Sequence, residues 1–419
     1  VSDRPPAVFV AGPRHWRDLG DALAKRGLEV YGLFSGRPTY NWFPRFIEAE
    51  QDHRQMREAL LLAEPGRIDL QKSCIAVADP EDGNLELQTR LVALRADLAW
   101  AYAMRRAIGP LLTEKWCSAV VTTCTYDPLG RTVVAAARDA GVPVVHVAHS
   151  CQSAAPEDAW YAAKDPGDVL CVPGERDRQW WLECIEAFDA PALEGFRLEV
   201  TGHPLWDHHW EAPLAETAEA PTVLWACESG ASAAQTPRLW RSRETPIEAW
   251  QSFLRAMGDL GDVRRNGHPP QLILKARDWE DANLCEAWHA EAVGVLGADR
   301  VLTTNAAPED ILSKADVVVC QDSNLGVEAL IRGVPVVSLT RDGGCLFDPQ
   351  PGGSATVLNA HKPRLELGLG NALRAVLEHP PLNREAIREE AARYCAPGGA
   401  GMAAVCGVIE EVCGATVAA

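Results

Sequence analysis

The stretch Asp310-Ile-Leu-Ser-Lys-Ala-Asp-Val-Val-Val-Cys-Gln-Asp-Ser-Asn-Leu-Gly-Val-Glu-Ala-Leu-Ile-Arg-Gly-Val-Pro-Val-Val337 decides the architecture. The unbroken apolar run Val317-Val-Val-Cys320 reads as a buried strand. It runs into a polar turn, Gln321-Asp-Ser-Asn324, and a helix begins near Leu325. A second apolar run, residues 334–339, follows as the next strand. Strand, turn, helix and strand in this order make a βαβ unit, which requires a parallel sheet covered by helices.

The same alternation extends in both directions. Upstream in the second half, strands are expected at 222–227, 271–275, 301–303 and 316–320, with a helix at 246–260. In the first half, strands are expected at 7–11, 28–33, 118–123, 144–148, 168–172 and 196–201, with helices at 16–26, 129–140 and 177–188. Gly27 is placed to end the first helix. Residues 56–62 and 85–112 carry the apolar spacing of helices with one buried face. Residues 211–221, rich in Ala, Glu and Pro, read as a linker. The expected layout is therefore a Rossmann-like domain over 1–210 with a helical insertion at about 40–115, the linker, and a second Rossmann-like domain over 222–385. Closing helices at 386–419 pack back on the first domain.

Composition bounds what such a chain can do. Its 419 residues carry a formal net charge of −18, which disfavours a nucleic-acid partner because no basic stripe is available to displace counterions. The 13 cysteines show no CxxC pair and are odd in number, so neither a disulfide framework nor a zinc ribbon is expected. No signal-peptide pattern and no apolar run of membrane-spanning length is visible. A cytoplasmic setting is expected, with peripheral membrane contact as the most a lipid surface would offer.

At the turn after Cys320, two readings stand side by side. The backbone N–H groups of the helix start, with the Ser323 hydroxyl and the Asn324 amide beside them, form an anion site, and Glu328 about one turn on is placed to accept from ribose hydroxyls. Equally, Ser323 is a plain N-cap and Glu328 an acid favoured by the helix dipole.

The same residues carry a family resemblance. Asp316-Val through Ser323-Asn-Leu-Gly-Val-Glu-Ala-Leu-Ile-Arg-Gly-Val-Pro-Val-Val337 resembles the donor-domain signature of GT-B glycosyltransferases. It is most similar to the bacterial capsule-type Kdo and polysialic-acid transferases and the CDP-glycerol glycerophosphotransferases. Gly141-Val-Pro-Val-Val-His-Val-Ala-His-Ser150, Val172-Pro-Gly-Glu175 and Val200-Thr-Gly-His-Pro-Leu-Trp-Asp207 resemble the family's other motifs, in the family's order. The resemblance spans roughly residues 118–410.

It implies an α/β GT-B fold of two Rossmann-like domains with parallel sheets facing a cleft, and a nucleotide-sugar donor in place of any cofactor. The acceptor would be a glycan or small molecule, in surface polysaccharide or glycoconjugate synthesis. Donor contacts are implied at Ser229 and Gly230 in the small-residue loop after the first strand of the second domain, which by its own sequence reads as an ordinary connection with no P-loop pattern, and at Lys275, Arg277, Ser323, Asn324, Gly326 and Glu328. Arg277 stands where the family has a phosphate-binding His; a guanidinium clamps phosphate through two parallel hydrogen bonds. An exposed strand end paired with Asp278 and Glu280 is the plainer reading.

For an acid/base group, Asp127 and His149 both follow first-domain strands whose carboxyl ends should face the cleft. Asp127 is the first choice and His149 the second; the plainer readings are that Asp127, before Pro128, caps the following helix and that His149 is a structural hydrogen-bonder at a strand end. His203, Asp207, His208 and His209 cluster in sequence, but their spacing matches no helical zinc motif, and they read as turn residues with no metal expected. Two other functions fit the chain: a nucleotide-sugar 2-epimerase, and a non-catalytic sugar-nucleotide or polysaccharide-binding protein.

Overall fold

Two six-stranded parallel sheets form the frame of the chain. The structure is a computed structural model. It describes residues 5–13, 16–35, 105–106, 108–110, 112–113, 117–125, 128–152, 165–188, 196–226, 245–275, 282–321, 323–340, 346–347, 354–359 and 364–418. The first sheet joins β1 (Ala7–Pro13), β2 (Glu29–Ser35), β3 (Cys117–Thr122), β4 (Val144–Val147), β5 (Val169–Val172) and β6 (Arg197–Val200) in the order β2-β1-β3-β4-β5-β6. The second joins β7 (Thr222–Ala226), β8 (Gln271–Lys275), β9 (Val301–Thr304), β10 (Val317–Cys320), β11 (Val336–Thr340) and β12 (Ala355–Asn359) in the order β12-β11-β10-β7-β8-β9.

Every residue of β3, β4, β5, β7, β10 and β11 is buried, which is why these strands are mainly apolar on both faces, with only occasional buried Ser, Thr or His such as Ser118, His146 and Ser338, and show no apolar–polar alternation. The helices that cover them are α1 (Arg17–Lys25), α2 (Pro128–Ala140), α3 (Glu175–Phe188), α4 (Asp207–Glu211), α5 (Thr245–Asp259), α6 (Ala282–Leu296), α7 (Pro308–Leu312), α8 (Asn324–Ile331), α9 (Leu365–Glu378), α10 (Arg384–Ala391) and α11 (Gly401–Ala418). Most of the segment expected as a helical insertion, 40–115, lies outside the described residues.

Strand order fixes where a ligand can bind. In the second sheet the chain builds outward from β7 on one side to β8 and β9, then jumps across to β10, β11 and β12. The loops after β7 and β10 therefore leave in opposite directions and open a crevice at their carboxyl ends. In the first sheet the corresponding switch lies between β1 and β3.

The C-terminal helix completes the first lobe and not the second. Val405, Cys406, Ile409 and Cys413 of α11 share a core with Val8, Val10, Ala119 and Val121 of the first sheet. Its register is marked by Arg26–Glu410 at 2.9 Å and Arg197–Glu411 at 2.8 Å, exposed pairs that add little stability. Its start is fixed more firmly: the Asp207 carboxylate accepts from Gly401 N–H and Met402 N–H, each at 2.8 Å. A side chain at the exit of the first sheet thus caps the helix that returns to it. Among the described residues no helix is long and apolar enough to cross a membrane.

The segment expected as a linker is fastened to the second lobe. Ala215 is buried and its N–H donates to Arg332 O at 2.8 Å, while Arg332 Nε donates to Pro213 O at 3.0 Å.

Candidate functional site

The second lobe contributes the turn after β10. Ser323 is the N-cap of α8, extended at φ −105° and ψ 140°, with its Oγ accepting from Leu325 N–H at 3.3 Å. The hydroxyl therefore does the capping work of the plainer reading while standing at the helix start. Gly326 is a packing requirement: a Cβ there would lie 2.7 Å from Phe347 Cζ and 3.0 Å from Cys320 Sγ. Lys275 ends β8, half-buried, at the same carboxyl edge. Ser229, Gly230 and Arg277 lie outside the described residues.

The first lobe contributes the segment after β4. His149 Nδ1 lies 3.0 Å from Thr123 O, and because a carbonyl only accepts, Nδ1 carries the proton. In the neutral ring that leaves the lone pair on Nε2, the form a general base needs. The backbone of His149 is held as well: His203 Nε2 donates to His149 O at 3.2 Å while His203 Nδ1 accepts Leu205 N–H at 3.3 Å. The His203 ring is stacked on Trp206, centroids 4.0 Å apart and 19° from parallel. Asp127, which follows β3 in sequence, lies outside the described residues.

The far end of this segment is anchored by a buried acid that sequence reading missed. Asp177, fully buried in the first turn of α3, accepts from Gln152 N–H at 2.7 Å, and Arg176 Nη1 donates to Gln152 O. Burial pushes the Asp177 carboxyl up to about 6, against the opposing pull of Arg176, the Gln152 N–H and the Cys151 thiol.

Asn324 brings the two lobes together. Its Oδ1 accepts Cys151 N–H at 3.3 Å and its Nδ2 donates to His149 O at 3.5 Å. Cys151 Sγ donates in turn to Tyr394 O at 3.6 Å, so one short segment meets the second lobe and the C-terminal region at once. The carboxyl ends of both sheets consequently face a common cleft, with an imidazole on one wall and a helix start on the other.

Glu328 sits deeper. Its side chain is only 12% exposed and its Oε2 lies 3.3 Å from Nε2 of the buried His209. The histidine-rich group of the sequence is divided three ways: His203 supports His149, Asp207 caps α11, and His208 and His209 face Glu309 and Glu328. Burial, and the neighbouring His209, hold His208 below the usual imidazole range. A cavity of about 670 Å³ opens elsewhere, at the amino ends of β7–β9 beside Glu219, His268 and Arg300, and touches none of the cleft residues.

No protein-family model matches the chain, and no curated protein matches it in sequence. Solved structures match its fold along nearly the whole length. A protein assigned as a UDP-N-acetylglucosamine 2-epimerase from Listeria monocytogenes is 14% identical, with 98% of this chain and 95% of that one covered at a TM-score of 0.56. UDP-GlcNAc 2-epimerase from Neisseria meningitidis, solved bound to UDP-GlcNAc, is 12% identical, with 97% and 99% covered and a TM-score of 0.52. A glycosyltransferase from Rickettsia africae is 8% identical, with 99% of each chain covered and a TM-score of 0.52. At these identities the likeness is one of fold: the chain has the two-domain α/β GT-B fold.

Proposed function

We propose that the chain is a glycosyltransferase that moves a sugar from a nucleotide-activated donor to a glycan or small-molecule acceptor. The observation that carries this reading is the juxtaposition across the cleft. His149, its Nδ1 turned to Thr123 O, and the start of α8 lie at the carboxyl ends of opposing sheets, joined through Asn324. Transfer needs a base on the acceptor side and stabilisation of developing phosphate charge on the donor side, and the two walls are suited to these roles.

In this scheme Asp127 takes the acceptor proton, with His149 the second candidate. The loop of Ser229 and Gly230, together with Lys275, Arg277 and the α8 start at Ser323 and Asn324, receives the diphosphate or monophosphate. Glu328 would accept from the ribose hydroxyls after leaving His209. No cofactor beyond the donor is required. The motif resemblance to capsule-type transferases supports a cytidine-activated donor and a surface-polysaccharide acceptor, whereas Arg277 in the family's histidine position leaves the base open to UDP.

Nucleotide-sugar 2-epimerisation is the second reading, favoured by the two epimerase structures among the fold neighbours. Steady conversion of UDP-GlcNAc to its epimer with no acceptor present would select it. The discriminating first experiment is thermal denaturation with CMP, CDP, UDP, GDP and dTDP. A nucleotide at ~100 times its dissociation constant adds about 2.7 kcal/mol. Stabilisation by one base class is expected; no stabilisation by any of the five would overturn the donor-site reading.

A further inference from the structure

Where the helix leaving the first lobe abuts the second, nitrogen and oxygen ligands from three elements converge. His208 and His209 are consecutive on α4, and side chains one residue apart on a helix ordinarily diverge by about 100°. Here their rings come together, centroids 4.0 Å apart and planes 40° from parallel. From α7, Glu309 brings Oε2 to 3.8 Å from His208 Nε2. One ligand atom from each of His208, His209 and Glu309 falls within 4.8 Å of the other two. From α8, Glu328 brings Oε2 to 3.3 Å from His209 Nε2.

The buried half of this group is unsatisfied. His209 is 1% exposed, and its Nδ1 has no hydrogen-bond partner among the described residues. Glu328 Oε2 is buried beside it and likewise makes no hydrogen bond, despite the short approach. Buried polar atoms in a native fold are paired with protein, water or an ion, so the unpaired Nδ1 of His209, with an unpaired carboxylate oxygen of Glu328 on the Nε2 side of the same ring, points to a bound cation where the imidazoles and carboxylates converge. Asp207, next in sequence, is excluded as a ligand because both of its oxygens cap α11.

We propose that His208, His209 and Glu309 bind a divalent transition-metal cation of the zinc class, with Glu328 set against His209. Two imidazoles and a carboxylate suit a borderline ion and not magnesium or calcium, which take all-oxygen shells. Metal–ligand bonds of about 2.0–2.2 Å set ligand atoms roughly 3.4 Å apart. The 3.8 Å between His208 and Glu309 closes to that value with small rotations, and both side chains are half exposed and able to make them. Because α4 leaves the first lobe while α7 and α8 belong to the second, the ion fastens one lobe to the other. Glu328 belongs to α8 and is shared with the donor reading, but the three proposed ligands, His208, His209 and Glu309, are not donor contacts, so cation binding is read out separately from nucleotide binding.

The test uses the full tag-free chain, stripped with EDTA and titrated with Co²⁺ and Zn²⁺. One equivalent of Co²⁺ should bind with a visible spectrum lacking a thiolate charge-transfer band, and Zn²⁺ should raise Tm. His208→Ala and Glu309→Gln, both at half-exposed positions, should each weaken binding about 10-fold or more while leaving the metal-free Tm unchanged. His268→Ala, at an exposed histidine away from the site, should bind as the parent does. Absence of stoichiometric binding, a thiolate spectrum, or equal affinity in His208→Ala and Glu309→Gln would each overturn the proposal.

Discussion

The side-chain oxygen of Asn324 accepts the backbone N–H of Cys151 at 3.3 Å, across 173 residues of sequence. One partner opens α8 on the second sheet and the other follows β4 of the first, so the bond crosses the mouth of the cleft. Asn324→Ala removes it together with the weaker contact to His149 O. The expected cost is about 0.5–1.5 kcal/mol in denaturant titration, with faster amide exchange in the peptide spanning 149–152. Unchanged exchange there would show that the lobes are held by other contacts.

Asp207→Ala should loosen the crossing helix from its N-terminus. Two backbone N–H groups lose their acceptor at once, and α11 supplies Val405, Ile409 and Cys413 to the core of the first lobe. A cap deletion costs about 0.5–2 kcal/mol, and the upper part of that range is expected here. Asp207→Asn, which keeps one acceptor oxygen, should lose less. Equal loss from the two substitutions would mean the carboxylate acts through its charge and not through its two hydrogen bonds.

The parallel strands were legible because burial on both faces writes itself as unbroken runs such as Val317-Val-Val-Cys320 and Thr222-Val-Leu-Trp-Ala226. The helix Ala282–Leu296 was not foreseen, and its apolar residues are spread around the helix instead of along one stripe. The edge strand Ala355–Asn359 was also missed: Ala-Thr-Val-Leu-Asn carries no unbroken apolar run, and its place is set by pairing with β11. Of the site, the α8 start and His149 could be read from strand ends. Asp177 could not, because only the fold brings the first turn of α3 against Gln152. The grouping of His203, Asp207, His208 and His209 was visible in sequence, but their separation into three roles depends on which helix each one faces.

Gly174→Ala should be severely destabilising. A Cβ at this position would lie 2.4 Å from the backbone carbon of Tyr394 and 2.6 Å from Arg393 O, and neither is the end of a flexible side chain. Overpacking of this kind costs about 1–3 kcal/mol when the neighbours can yield, and more when backbone must move. The check is the urea midpoint of the variant; a value within error of the parent would mean that the 393–394 segment docks elsewhere in solution.

Asp177 should make stability pH-dependent in the acid range. Its carboxyl is raised by burial from the ordinary 3.8 to about 6, so the folded chain binds this proton more tightly than the unfolded chain does. Stability from this group therefore rises as pH falls from about 6 towards 4, and the ionised form costs on the order of 3 kcal/mol above pH 6. Asp177→Asn keeps an acceptor for Gln152 N–H and removes the ionisation. Relative to the parent, the variant should gain stability at pH 7 and lose that advantage near pH 4. A parent–variant difference that is flat across this range would rule out a titrating Asp177.

Asp127→Asn should lower transfer by roughly 10²–10⁴-fold, the range expected for removing a general base, and leave nucleotide-induced stabilisation intact. The split follows from the chain order: Asp127 comes after β3 in sequence, whereas the proposed phosphate contacts come from the second half of the chain. His149→Ala tests the rival assignment. Its Nδ1–H is committed to Thr123 O, which leaves Nε2 as the acceptor of a proton if His149 is the base. In that case turnover should collapse in His149→Ala and survive in Asp127→Asn. If Asp127 is the base, His149→Ala should chiefly raise KM, because the side chain then only shapes the acceptor wall. Loss of nucleotide stabilisation in Asp127→Asn would contradict the assignment of Asp127 as the acceptor-side base, since a group acting only on the acceptor should not govern donor binding.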